Sequence, residues 1–175
     1  MNVAPPVGVM PRPHVFDSHF DVANRWLNEV ALSLDLTPAE HPRAMRALRA
    51  GMHAIRDRLP AAEAVDLGAQ LPTLIRGLYY EGWTFATDPT RIRDREAMLA
   101  RVQEELASDP RLAPIDVLRA VIHLLVEHVS PGEIRDVVAT LPKPIAALWL
   151  ELTGHAIEPL PVDGDGLTRH TGYTR

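Results

Sequence analysis

The chain contains no cysteine. That excludes disulfides, thiol nucleophiles and thiolate metal sites, and it fits a reducing compartment. No apolar stretch approaches the length that a bilayer-spanning helix needs. The N-terminus, MNVAPPVGVMPRPHVF, lacks the basic start and apolar run of a signal peptide. The chain therefore reads as cytoplasmic, with no membrane partner. Its formal charge is -5, and no basic stripe interleaves with aromatics, so nucleic acid is not an expected partner either. A Gly-rich phosphate loop, a GxSxG elbow and an HExxH pair are all missing. Strict alternation with β-branched residues occurs nowhere, so no sheet is expected. Aromatics are scarce, at 5% of 175 residues, which makes their placement informative.

What the chain does have is apolar material, 46%, beside 23% charged residues. That is enough for a core without a covalent or metal staple. It also has an internal repeat. Residues 69–83 read AQLPTLIRGLYYEGW, and residues 139–153 read ATLPKPIAALWLELT. Aligned at an offset of 70, 48–79 and 118–149 need no gap, and Leu48, Arg49, Ala50, His53, Glu63, Asp66, Ala69, Leu71, Pro72, Ile75 and Leu78 meet identical residues. Upstream the match continues at an offset of 72, with Phe20, Leu27, Val30 and Leu34 opposite Ile92, Leu99, Val102 and Leu106. A repeat of this kind marks a duplicated supersecondary unit.

Within each copy the apolar spacing is helical. Met45, Leu48, Met52, Ile55 and Leu59 step by 3 and 4, as do Ile115, Leu118, Ile122, Leu125 and Val129. In the first helix the expected stripe is Phe16, Phe20, Ala23, Leu27, Val30 and Leu34, with Asp17 or Ser18 as cap. SPGE at 130–133 predicts a capping box. Leu71-Pro72 and Leu141-Pro142 predict corners between helices, and Gly82 a left-handed stop. The expected fold is all-α: about eight helices, from two tandem four-helix repeats packed as one bundle. Residues 1–14 form an irregular arm, 15–153 the duplicated domain (copy one 15–83, copy two 90–153), and 154–175 a loose tail. Residues 84–91 link the copies.

The phrases ALRAGMHAIRDRLP, AEAVDLGAQLPTLIRGLYYEGW and VSPGEIRDVVATLPKPIAALW, with VFDSHFDVANRWLNEVA before them, resemble the bacterial family known as domain of unknown function 2267. The resemblance spans roughly residues 15–152. It implies a duplicated all-helical fold in a cytoplasmic bacterial protein, and it brings no activity, substrate or cofactor.

Candidate chemistry is sparse. His53 and His123 are equivalent, each with an acid one turn later, Asp57 and Glu127. Such a pair could act as a base or ligate a metal. The favoured reading is a helix-flank histidine bonded to its own neighbour. Two such groups fall short of a zinc set, though His128 could add a donor in copy two. Glu63/Asp66 and Glu133/Asp136 could line a cation or acid–base site if the copies face each other, but first-turn acids already complement the helix dipole. Tyr79, Tyr80, Trp83 and Phe85 are a candidate partner or ligand surface. The favoured reading packs them at the junction between the copies, with Tyr80 the most exposed. The Arg-rich stretches RAMRALRA and RIRDREAMLAR read as solvated faces. No catalytic residue, metal site or cofactor is assigned. Two functions are expected: a non-enzymatic interaction or regulatory module with a protein or small-ligand partner, and, behind it, a metal- or cofactor-assisted enzyme using His53, His123 and their carboxylates. They separate on whether the two histidines converge on one cavity.

Overall fold

The computed structural model describes residues 14–84, 92–107 and 109–154. Among them the chain is all-α, with eight α-helices and no strand. The helices are α1 (Asp17–Ser33), α2 (His41–Arg56), α3 (Ala61–Gln70), α4 (Thr73–Tyr80), α5 (Arg95–Leu106), α6 (Pro114–His128), α7 (Pro131–Thr140) and α8 (Lys143–Thr153). None is long and apolar enough to cross a membrane. The expected arm, tail and inter-copy linker fall almost wholly outside the described residues, and Phe85 lies there too.

Helix α2 is the hub, packing against α1, α4, α5 and α6. Its buried face carries Ala44, Ala47, Ala50 and Ala54 among larger residues, and small side chains let helix axes approach closely. The tightest approach is at Gly51. A Cβ placed there would lie 2.5 Å from Val121 Cγ2 on α6. Val121 is also the residue opposite Gly51 at the sequence offset of 70. Contacts elsewhere come in matched pairs: α1 on α2 and α5 on α6, α2 against α5 and α1 against α6, α3 against α7. Two corners match as well. The chain turns after α1 at Asp35 (φ 51°) and after α5 at Ala107 (φ 50°), both left-handed and neither glycine.

Local expectations fared unevenly. Leu71 and Leu141 do sit in extended conformation before their prolines. Gly82 is left-handed, two residues past the end of α4. In α1, however, the buried residues are Trp26, Val30 and Ala31, while Phe16 and Phe20 are 59% and 43% exposed. Ala23, Leu27 and Leu34 of the expected stripe do pack against the core beside Val30, so the stripe fails only at Phe16 and Phe20, and Trp26 and Ala31 join it. Met45 is likewise 38% exposed, its place in the core taken by Ala44 and Ala47. Neither Asp17 nor Ser18 caps α1: Phe16 holds the cap position without a side-chain bond, and Asp17 pairs with His14 at 2.7 Å. At SPGE, Ser130 Oγ accepts from the Glu133 N–H at 3.3 Å, but the Glu133 carboxylate makes no return bond. A reciprocal capping box forms instead at Thr37 and Glu40, before α2.

Candidate functional site

The groove between α2 and α5 holds most of the buried charge. His53 is only 5% exposed. Its Nδ1 faces the Glu105 carboxylate at 3.0 Å and its Nε2 faces the Leu78 carbonyl at 2.8 Å. Both partners are acceptors, so each ring nitrogen is held against an oxygen. Asp57, the expected partner, is turned elsewhere: it accepts from Arg56 Nε at 2.8 Å and from Arg101 Nε at 3.0 Å. An i,i+4 acid competes poorly here because Glu105 arrives from the facing helix, already aligned by two arginines. Arg49 Nε donates to it at 2.8 Å and Arg101 at 3.3 Å. Burial works to raise the Glu105 pKa, but the hydrogen bond and charge of His53, with Arg101 and Arg49, outweigh it and hold the value down to about 2. Farther along the groove Asp109 accepts from Arg43 at 2.9 Å and Arg46 at 3.1 Å.

The arginines of RAMRALRA and Arg101 are therefore not a solvated face. Half-buried, Arg49 and Arg101 join the C-terminal half of α2 to α5, and Arg43 and Arg46 join α2 to Asp109 just past the end of α5. A register signal was present in the sequence: Arg43, Arg46, Arg49 and His53 run along one face of α2, and Arg101, Glu105 and Asp109 recur every fourth residue opposite. Arg56 is the deepest charge, 3% exposed. It donates to the Tyr79 carbonyl and, at 3.0 Å, to the Glu81 carbonyl. Arg56 thus satisfies orphan carbonyls at the end of α4, and His53 adds a second bond to the Leu78 carbonyl, which also accepts from the Glu81 N–H; the helix dipole favours a cation there.

The counterpart groove, between α1 and α6, is different. Glu105 is matched by Ser33, Arg101 by Glu29, and Arg56 by Val126. His123 Nε2 bonds the Leu152 carbonyl at 3.0 Å, and its Nδ1 has no partner among the described residues. Glu127 does not bond it. With Val126 in place of Arg56, no cation stops α8 early. It runs to Thr153 and ends at left-handed Gly154. Two open cavities, about 480 and 360 Å³, share this groove, and Ser33, Ala120 and His123 line both. The α2–α5 groove holds a cavity of about 390 Å³ lined by His53, Asp57, Glu105 and the three arginines. The two histidines thus line separate cavities.

The carboxylates Glu63, Asp66, Glu133 and Asp136 do meet, across the α3–α7 contact. Burial, then the neighbouring Asp136 and Asp66, raises the Glu63 pKa; burial, then Glu63, raises that of Glu133. One buried oxygen of each has no hydrogen-bond partner. No group of three or more metal-ligating side chains occurs among the described residues.

The aromatic cluster divides. Tyr79 is 1% exposed and donates its hydroxyl to the Ala64 carbonyl at 2.9 Å. Tyr80 is half-buried. It lies over Gly68, where a Cβ would clash with its hydroxyl, and it packs 5.5 Å from the Trp83 ring. Both tyrosines pack α4 onto α3. His128, the third histidine weighed, pairs with Glu29 at 2.6 Å and stacks on Trp26.

The sequence profile of a family described as Uncharacterized conserved protein (DUF2267) matches residues 23–148, most of the chain. A search of curated proteins found no match.

Proposed function

The chain belongs to this uncharacterised family, and we propose that it is a non-enzymatic binding module whose α1–α6 groove receives a small polar ligand. One contrast carries the reading. The two grooves use equivalent positions, yet the first spends its His53, Glu105, Arg49 and Arg101 on one another, while in the second His123 Nδ1 has no partner among the described residues and faces open cavities. A concave pocket with a few unspent polar groups is the usual form of a ligand site. Tyr80, Trp83 and Phe85 give way to it as the leading surface, because Tyr79 and Tyr80 are engaged in packing. The enzyme reading asked His53 and His123 to share a cavity, and they line separate ones.

Two-dimensional ¹H–¹⁵N NMR of the full chain tests this, with a panel of small organic acids, amines, sugars and nucleotides. Binding should move the amides of Ser33, Asp35, Ala120 and His123 in a saturable way. Perturbations confined to the α2–α5 groove or to Tyr80 and Trp83, or none with any probe, would defeat the reading.

A further inference from the structure

The first groove displays how this architecture holds a carboxylate. Glu105 sits between His53 Nδ1, Arg49 and Arg101, while His53 Nε2 is anchored on a helix carbonyl. The second groove keeps two of those parts. His123 is anchored the same way, through Nε2 to the Leu152 carbonyl. Arg119, the counterpart of Arg49, lines the same cavity. The carboxylate has no counterpart, because Ser33 aligns with Glu105 at the offset of 72. The geometry points to a carboxylate on the ligand taking the role of Glu105, received by His123 Nδ1 and Arg119 with the Ser33 hydroxyl as a further donor. This rests on the binding-module reading and specifies its ligand.

The electrostatics of the groove set the class more narrowly. Arg119 now pairs with Asp116 one turn away, both about half exposed. An exposed pair of this kind is weak, so the guanidinium is available to a better-placed acid. Glu29, in the place of Arg101, is drawn aside by His128. Asp35 and Glu127 also line these cavities. They disfavour a ligand with several negative charges, so a monocarboxylate is expected. Its remaining surface would meet Leu34 and Ala120 in the cavity of about 480 Å³, ample for a small organic acid.

The test is a titration of the ¹⁵N-labelled full chain with propionate, with propionamide, propylammonium and inorganic phosphate in parallel. Ring ¹⁵N signals of His123 and the Arg119 Nε signal are followed with the backbone amides. Propionate should shift His123 Nδ1, Arg119 Nε and the Ser33 amide together, and propionamide should not. Arg119→Met should weaken propionate roughly tenfold or more, as losing a charge-assisted bond requires. Ser33→Glu should abolish binding by supplying the carboxylate from within. Should Ser33→Glu fail to fold by circular dichroism, Arg119→Met decides alone. Equal response to propionamide, or a preference for phosphate, would overturn the proposal. Binding of propylammonium alone in this groove would overturn the carboxylate and leave the groove standing. Silence of the groove to all four probes and to the wider panel would remove both.

Discussion

Gly51→Ala is the sharpest probe of how the two halves are joined. The added Cβ would sit 2.5 Å from Val121 Cγ2 and 2.8 Å from Val121 Cβ. Carbon atoms rest about 3.5–4.0 Å apart, so about 1 Å must be found. Val121 cannot supply it easily. It is fully buried and its χ1 is stiff in a helix. Nor can α2 move away freely, since α1, α4 and α5 pack against it as well. Overpacking of this kind costs about 1–3 kcal/mol. Alanine in a helix interior returns about 0.5–1 kcal/mol relative to glycine. The net is a destabilisation of about 1–2 kcal/mol, read by urea denaturation, or a Tm lower by roughly 3–6 °C for a chain of this size. Val121→Ala should be destabilising alone, since it opens a hole of two methyl groups. The double variant Gly51→Ala/Val121→Ala should fall short of the sum by 1 kcal/mol or more, because each change fills or empties the same space. A stabilising Gly51→Ala, or additive effects in the cycle, would refute the close approach of α2 and α6.

Three further perturbations test the charge and hydrogen-bond assignments. The Glu105 pKa is held down to about 2 from 4.5, so its contribution, on the order of 2–3 kcal/mol, is present above about pH 4.5 and lost as pH falls toward 2. Glu105→Gln should lose that amount at neutral pH and flatten the acid limb of a stability–pH curve; an unchanged limb would contradict the network. Glu63 and Glu133 have raised values, so their charged forms penalise the fold above the folded pKa. Glu63→Gln and Glu133→Gln should each raise Tm at neutral pH, with the gain fading below about pH 4.5, where both folded and unfolded forms are protonated. Tyr79→Phe removes the bond to the Ala64 carbonyl and should cost about 1 kcal/mol in denaturant melts, with no cost meaning that the hydroxyl was not engaged.

The backbone plan was legible in the sequence because it rests on local chemistry. Helix periodicity and the Leu-Pro corners involve residues within a few turns of one another. The helix faces were harder. Phe16 and Phe20 keep α-helical spacing with Leu27 and Val30, yet both stay exposed while Trp26 is buried, and nothing local says which stripe the partner helices will accept. The site was the least legible. His53 and Asp57 are neighbours on one helix, but their partners are Glu105 and Arg101, 52 and 44 residues away. Long-range ion pairs depend on which helices the fold brings together, and the pairing of α2 with α5 is invisible in either helix alone.

The differences between the two grooves follow from single positions within one plan. Arg56 meets the terminal carbonyls of α4; its counterpart Val126 cannot, so α8 continues three residues beyond the equivalent point and ends on glycine instead. Lengthening α8 brings the Leu152 carbonyl to His123, where a bond to the counterpart of Leu78 would have been expected. Glu105 occupies His53 Nδ1 in one groove, while Ser33 aligns with it in the other. A duplicated unit that stapled both grooves would bury both histidines in ion pairs. One that stapled neither would leave α2 and α5 without the charged bonds that fix their register. Asymmetry at Glu105/Ser33, Arg101/Glu29 and Arg56/Val126 lets one half hold the bundle together while its counterpart keeps a polar cavity available. On this logic Ser33→Glu with Glu29→Arg should convert the second groove toward the first. The variant should gain stability in urea and lose propionate binding together, and gaining neither stability nor closure would show that the two grooves are not interchangeable.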